Sequence, residues 1–453
     1  MSAHITQELK ARGVAEVIVI LKATTDPEVV AAATGASAAK MKTALTPAAA
    51  DARALVDHFV SSALSLPGAV ATARAAPGRR PAPVRYFAHL GVMLGTVTRE
   101  GLAALRADLR VEAVTGAPPL SPVRPRRIQP ARLTRHYTWG LGELNIPALW
   151  AQGLTGKGVV VGHLDTGVDA RHPALLRALH AFAEFDALGR ERRPAPRPLD
   201  TGDHGTHTAA TIAGRAVGGR AVGAAPGAHL ASAIVIEGGD VVARVLGGMD
   251  WAVAQGIRVL SMSLGFRGWW EDFRPLVRLL RARNILPVFA IGNEGPGMSR
   301  SPANYPEAVS VGAFDEAGGV PAFSSSQRFL RLRDPIVPDL VAPGVNVISA
   351  KPGGGYQAMD GTSMAAPHVA GLAALLLEAD PTATETQIER AIAWSCALRP
   401  GMPRDRAGRG VPDAAAALAI LMSKAKGRST ADGDSGKEAP DREGRSRAAP
   451  AAR

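Results

Sequence analysis

Between Gly156 and Ala313 the chain alternates short, unbroken apolar runs with stretches of helical length, and few folds accommodate that pattern. Gly156 to Leu164, His229 to Ile236, Val259 to Leu264, Leu286 to Ile291 and Ala308 to Ala313 read as a turn and strands. Glu143 to Gln152, Val241 to Gln255 and Phe273 to Asn284 read as helices between them. Strands that are apolar throughout, without an in–out alternation, bury both faces, so the expected class is α/β: a doubly wound, mostly parallel sheet with helices on both faces. Sites in such sheets form beyond the C-terminal ends of the strands. Polar residues in this chain cluster at those ends.

Two flanking regions read differently. Glu16 to Lys22 is a β-branched strand, and Pro27 to Leu64 is Ala-rich with helical spacing. Pro77 to Pro83 breaks the pattern; Val84 to Val97 resumes as one strand or a hairpin, Arg99 to Leu105 as a helix and Val111 to Val114 as a strand. This makes a small N-terminal α+β unit. Pro118 to Pro130, rich in proline and arginine, is expected to be an exposed linker. After Ser423 the composition turns to Gly, Ser, Asp, Lys, Arg and Pro, which cannot bury enough surface to order itself, so Lys424 to Arg453 is expected to be a disordered tail. The expected division is 1–127, 128–423 and 424–453.

The net charge of +12 raises the question of nucleic acid. The arginines, however, scatter or sit in linker stretches such as Arg124 to Arg127 and Arg190 to Arg197, so no nucleic-acid partner is expected. Cys396 is the only cysteine, which excludes an intramolecular disulfide. Met1 to Gly13 is polar and lacks a signal-peptide core, so the default compartment is the cytoplasm, with export as the alternative. No membrane span is expected, because Leu372 to Leu377 reads as part of a short helix.

Four motifs carry chemistry. The strand Val159 to Leu164 ends in Asp165-Thr166-Gly167, an acid at a strand tip that could equally cap a turn. Asp203-His204-Gly205-Thr206-His207 puts two histidines on one side of a helix. A metal pair is the weaker reading, since no glutamate follows in the zinc-binding manner and no third ligand is near. His204 as a general base, with His207 as a structural neighbour, is the better one. Asn293, straight after a strand and between Gly292 and Gly295, can aim its amide into a cleft as an oxyanion donor, or be an ordinary turn residue. In Gly361-Thr362-Ser363-Met364-Ala365-Ala366-Pro367-His368 a turn leads into a long run of helix formers. Ser363 therefore stands at a helix N-terminus, where unpaired N–H groups favour developing negative charge; a capping role is the alternative.

In the order Asp165, His204, Asn293, Ser363 these motifs resemble the subtilisin-like (subtilase) serine peptidases from about Trp139 to Leu421. Gly223 to Ala228, Met262 to Gly265, Pro338 to Gly344 and Gly408 to Ala414 share in the resemblance. It implies that Ser363 is a nucleophile, His204 its base, Asp165 the group that orients the base, and Asn293 an oxyanion donor. It also implies that Gly238, Gly239, Ser263, Leu264, Gly265, Ala290 and Gly292 border a cleft for polypeptide substrates. The N-terminal unit resembles the inhibitor-type propeptide of secreted subtilases, which implies an intramolecular inhibitor and self-processing near residues 115–130. Many relatives bind calcium where this chain has Arg215 to Ala221, a loop with no Asp, Asn or Glu, so no cofactor is expected to be required, with calcium on backbone carbonyls as the alternative. Trp269-Trp270 and Arg300 are candidate specificity elements, with exposed aromatics and a solvated arginine as the alternative. A silent peptide-binding protein, permanently plugged by its N-terminal unit, is the competing functional class.

Overall fold

The computed structural model describes residues 3–22, 49–61, 64–65, 83–117, 120–236, 241–331 and 335–432. The N-terminal unit is a five-stranded sheet. Its strands are β1 (Ala15–Leu21), β2 (Leu64–Ser65), β3 (Val84–Phe87), β4 (Val92–Val97) and β5 (Val111–Gly116), in the order β2-β3-β4-β1-β5. Val84 to Val97 is thus a hairpin, and β4 and β5 flank β1 antiparallel. A helix that the polarity of the first residues did not suggest, Ala3–Arg12, precedes β1. Of the Ala-rich stretch, the helix Ala49–Leu55 is described and residues 23–48 lie outside the described residues.

The connection to the main body is exposed over much of its length, as expected of a linker, but it is not an unpaired tether. It forms β6 (Ser121–Pro122) and β7 (Arg127–Ala131), and Val123 between them is 1% exposed. The boundary expected between residues 127 and 128 falls inside β7. Backbone pairing with the main body, described below, holds down a stretch whose composition alone suggested a solvated tether.

The main sheet has seven strands, all parallel. It is built from β8 (Val160–Asp165), β9 (Leu179–Glu184), β10 (His229–Ile234), β11 (Val259–Met262), β13 (Leu286–Ala290), β15 (Val309–Phe314) and β18 (Leu340–Pro343). The order is β18-β15-β13-β11-β8-β10-β9. The chain runs from β8 outward to one side and returns to the other with β11, so β8 sits where the winding reverses, the place where such sheets form crevices. The short strands β12 (Leu264–Arg267), β14 (Arg300–Ser301), β16 (Gln327–Arg328) with β17 (Ile336–Val337), and β19 (Val347–Ala350) with β20 (Tyr356–Asp360) lie outside this sheet.

Alternate side chains go to opposite faces. Val259 and Val288 join a core with the helices His204–Ala213, Thr362–Ala379 and Glu385–Ser395. Leu260 and Phe289 join a second core with the helices Val241–Ala254 and Arg274–Ala282, into which Ile18, Ile20 and Leu94 of the N-terminal sheet also pack. The tip of the β3–β4 hairpin is tied to these helices. Leu90 N–H donates to Asp250 at 2.8 Å, and Arg283 donates to the carbonyls of His89 and Leu90 at 3.0 and 3.1 Å. Burial there pushes the Asp250 carboxyl up to about 7.

The helix Thr362–Ala379 is not short. Its 18 residues are apolar and long enough to pass for a membrane span, yet 89% of it is buried as the protein's own core. The last helix runs from Ala414 to Asp432, nine residues past the expected start of the tail; Lys424-Ala425-Lys426 are good helix formers that the compositional argument overlooked. Residues 433–453 lie outside the described residues.

The central helix seats closely because Gly371 faces Ala224: a Cβ added there would lie 2.6 Å from the Ala224 methyl. Gly371→Ala gains about 1 kcal/mol of helix propensity and incurs an overpacking cost of about 1–3 kcal/mol. We expect a net loss of stability by denaturant unfolding; a variant as stable as the parent would contradict the close seat.

Candidate active site

Asp165 ends β8 and is 2% exposed. Its Oδ1 accepts from Thr166 N–H at 2.7 Å and lies 2.7 Å from His204 Nδ1. His204 is the first residue of its helix, which begins over the end of β8 because Gly205 allows it: a Cβ there would come within 2.1 Å of the Gly167 carbonyl oxygen. Asp200 fixes the same turn, accepting from Thr206 N–H at 2.6 Å and from the Thr166 hydroxyl at 2.7 Å. With the carboxylate on Nδ1, a neutral His204 carries its proton there and presents Nε2 as an acceptor. That Nε2 is buried and has no hydrogen-bond partner among the described residues.

Of the histidines His163, His204, His207 and His368, only His204 is kept basic. Burial lowers His163, His207 (to about 3) and His368 (to about 4). Burial also opposes charge on His204, but the charge and hydrogen bond of Asp165 outweigh it and raise its pKa above the ordinary value. Burial likewise raises Asp165, and His204 outweighs this, leaving the carboxyl below its usual range. His207 is structural, as expected: its Nε2 lies 2.9 Å from the Val347 carbonyl.

Ser363 is the second residue of the central helix and is fully buried. Pro367, four residues on, supplies no N–H to the Ser363 carbonyl. Thr362 couples this turn to Asn293: its N–H and hydroxyl donate to Asn293 Oδ1 at 2.9 and 3.0 Å. The Asn293 carboxamide is thereby fixed with Nδ2 pointing outward.

What Nδ2 and Ser363 meet is the chain itself. Asn293 Nδ2 donates to the Arg124 carbonyl at 2.8 Å, and Ser363 Oγ donates to the Val123 carbonyl at 2.7 Å. The hydroxyl therefore does not bond to His204 as the resemblance implied, because a peptide carbonyl has taken its proton. On one side of Ser363, β6 pairs antiparallel with β12, Pro122 opposite Leu264 and Ser121 opposite Gly265, and Val123 N–H donates to the Ser263 carbonyl at 3.0 Å. On the other side, Arg126 N–H donates to the Asp360 carbonyl at 2.7 Å and β7 pairs antiparallel with β20. The stretch 120–131 is a strap through the cleft.

Ser263, Leu264 and Gly265 thus border a peptide. Ala290 instead sits in the sheet core, and Gly292 engages Thr362 through its N–H and carbonyl at 3.3 and 3.2 Å. Gly238 and Gly239 lie outside the described residues. Arg300 is 4% exposed, against the solvated alternative, and donates to Glu294 at 2.6 Å. Trp269 is partly exposed and stacks edge-on to Tyr305, closer to the alternative reading. Thr362, Asp200 and Glu294 had no assigned role in the sequence; their only signal was adjacency to the motifs.

The loop 215–221 offers no carboxylate or carboxamide side chain. Arg215 fills the neighbourhood with its own cation, donating to the carbonyls of Ala213, Ala228 and Arg177 at 2.7, 2.9 and 3.1 Å. Among the described residues no three acidic, histidine or cysteine side chains gather as a metal site.

A parallel α/β sheet with an acid–imidazole pair at a strand end and a serine at a helix start defines a class of serine peptidases. The Subtilase family model matches residues 156–430, and the chain belongs to that family. It is 36% identical over 256 residues to a subtilisin of Bacillus pumilus, covering 55% of this chain and 88% of that one. To Subtilisin Savinase of Lederbergia lenta it is 37% identical over 253 residues, 55% and 87% of the two chains. The match to M-protease of Shouchella clausii, 37% over 253 residues, spans 62% of that relative's length and 55% of this chain.

The imidazole offers a direct check. By NMR, His204 should titrate above the ordinary value of 6.5 in the parent and lower in Asp165→Asn, where only the charge of Asp200 still opposes burial. A titration that does not move would detach His204 from Asp165.

Proposed function

We propose that the chain is a serine endopeptidase acting on polypeptides. Ser363 Oγ attacks the scissile carbonyl carbon while His204 Nε2 takes the hydroxyl proton; Asp165 orients the ring and stabilises the imidazolium. The C–N bond then breaks, the leaving amine receives the proton from His204, and water releases the acyl group from Ser363 by the same steps in reverse. Asn293 Nδ2 and the Ser363 N–H stabilise the tetrahedral oxyanion. The observation that carries this reading is the strap: a peptide lies antiparallel along β12 and across Ser363, its carbonyls on Ser363 Oγ and Asn293 Nδ2. Backbone pairing of this kind recognises extended chains with little demand on side chains.

The strap also supports self-processing between residues 115 and 130, with the N-terminal unit as intramolecular inhibitor and folding partner. Its sheet packs on the helices Val241–Ala254 and Arg274–Ala282, which places the strap at Ser363. The guanidinium of Arg215 supports a metal-independent enzyme, and the resemblance to secreted peptidases favours export over the cytoplasm.

Expressing the wild type beside Ser363→Ala tests the reading. The wild type should acquire a new N-terminus between residues 115 and 130 and take up a fluorophosphonate label. Ser363→Ala should stay full length and unlabelled, with kcat on casein lower by about 10⁶, the scale seen in subtilisin. A wild type that stays intact and unlabelled would leave a plugged peptide binder. Asn293→Ala should lower kcat by about 10²–10³, the range known for the corresponding asparagine of subtilisin. A chelator should leave the rate unchanged; a loss restored by calcium would reinstate a metal site.

A further inference from the structure

We propose that Arg300 sets substrate choice: with Arg267 it makes the cavity beside Asn293 a cationic pocket for an acidic side chain, aspartate or glutamate, on the residue whose carbonyl is to be cut. This rests on the peptidase reading. The cavity, of about 360 Å³, is lined on the enzyme side by Arg267, Asn293, Glu294 and Arg300. On the strap side Arg124, whose carbonyl lies on Asn293 Nδ2, is one of the lining residues. The residue presenting its carbonyl to Asn293 therefore lies against this cavity.

No apolar enzyme side chain lines it, so an aromatic or aliphatic group would find little burial there. Charge decides among the polar candidates. Glu294 is the one enzyme carboxylate, and it is already committed: Arg300 Nε and Nη2 donate to its Oε1 at 3.0 and 2.6 Å, and its Oε2 lies 3.3 Å from the Ser325 hydroxyl. Burial would raise this carboxyl, but Arg300 outweighs it and holds it ionised. Arg267, 71% exposed at the mouth, stands 3.7 Å from the same oxygen. Two cations face one anion, leaving one positive charge uncompensated.

The strap, which holds no Asp or Glu, does not compensate it, so self-processing there draws on covalent attachment and not on this pocket. Arg124 lines the same cavity as Glu294 and is exposed, and no ion pair joins the two. A pocket built for a base would have used Glu294 on it. Meanwhile Arg300 Nη1 donates to Ser121 O and Oγ at 3.2 and 3.0 Å, to Pro122 O at 3.3 Å and to Gly265 O at 3.4 Å. When the strap leaves, three of those four acceptors go with it. A guanidinium 4% exposed must then find new oxygens, since an unsatisfied buried donor is costly. An incoming backbone in the same register returns two carbonyls. A substrate carboxylate supplies both the missing acceptor and the missing charge.

The test compares kcat/KM for peptides identical except at the residue before the scissile bond, bearing Glu, Gln, Phe or Lys, with the self-processed enzyme. Glu should exceed Gln by about tenfold to a hundredfold, the worth of a hydrogen bond to a charged group, and Lys should rank last. Arg300→Gln should bring the Glu-to-Gln ratio close to one. Arg267→Ala, at an exposed position where folding is not at stake, should reduce it and weaken its salt dependence. If Arg300→Gln fails to fold, the wild-type ranking and Arg267→Ala still decide. Gln, Phe or Lys peptides cut as fast as Glu, or a ratio unmoved by both variants, would overturn the inference. A labelled enzyme without acid preference sinks this proposal alone; an enzyme that neither labels nor cuts any peptide sinks the peptidase reading and this one with it.

Discussion

A parallel sheet with two apolar faces has to be covered twice, and the close seat of the helix Thr362–Ala379 on one of them is the constraint from which the site follows. Its small residues and Gly371 let the backbone approach neighbouring chain segments. That depth fixes where the first turn emerges: Thr362 reaches Asn293 at the end of β13 and Ser363 faces the cleft. The helix His204–Ala213 packs on the same element, so His204 comes to the tip of β8 where Asp165 waits. The proposed catalytic groups, far apart in the chain, share one supporting contact surface, and loosening it would move them all.

The electrostatics sort otherwise similar groups into separate roles. His163, His207 and His368 are pushed toward neutrality by loss of water, whereas the largely buried His204 is pushed the other way by a carboxylate on its Nδ1. His163 stands 3.9 Å from the same carboxylate, yet Thr208 and Ser232 take its two nitrogens, so proximity to Asp165 does not suffice. Direct hydrogen bonding decides which ring becomes the base, the kind of divergence that separates a working acid–base group from its surroundings.

Much of this was legible before any coordinates. Unbroken apolar runs predicted a parallel sheet, and the residues closing those runs, Asp165 and Asn293, proved to be the ones at the cleft, because strand ends are where a doubly wound sheet opens. Less was legible where long-range pairing overrides composition. The proline–arginine stretch at 118–130 reads as a tether, and only the free edges of β12 and β20 turn it into a strap. Arg300 reads as solvated because nothing nearby in sequence except Glu294 announces its partner, and four carbonyl or hydroxyl oxygens complete its burial from elsewhere. At the other end, the last helix continues through the good helix formers Lys424-Ala425-Lys426, beyond the point where polarity suggests disorder.

The strap's pose has its own logic. Acyl transfer needs the nucleophile and the oxyanion donor to act on one carbonyl, with Oγ directed at carbon and its proton given to the imidazole. Here the two are divided between successive residues: Ser363 Oγ rests on the Val123 oxygen while Asn293 Nδ2 holds the Arg124 oxygen. Both flanking strands are nevertheless paired, so the peptide is gripped on either side of the serine and misaligned over it. His204 Nε2 is left without its proton donor for the same reason. An intact strap is thus bound as a substrate is bound but presented one carbonyl out of step, and cutting requires a local slip that both pairings oppose. Occupancy of the cleft and resistance to turnover would then arise from the same set of hydrogen bonds, which is what the proposed role of an intramolecular inhibitor requires.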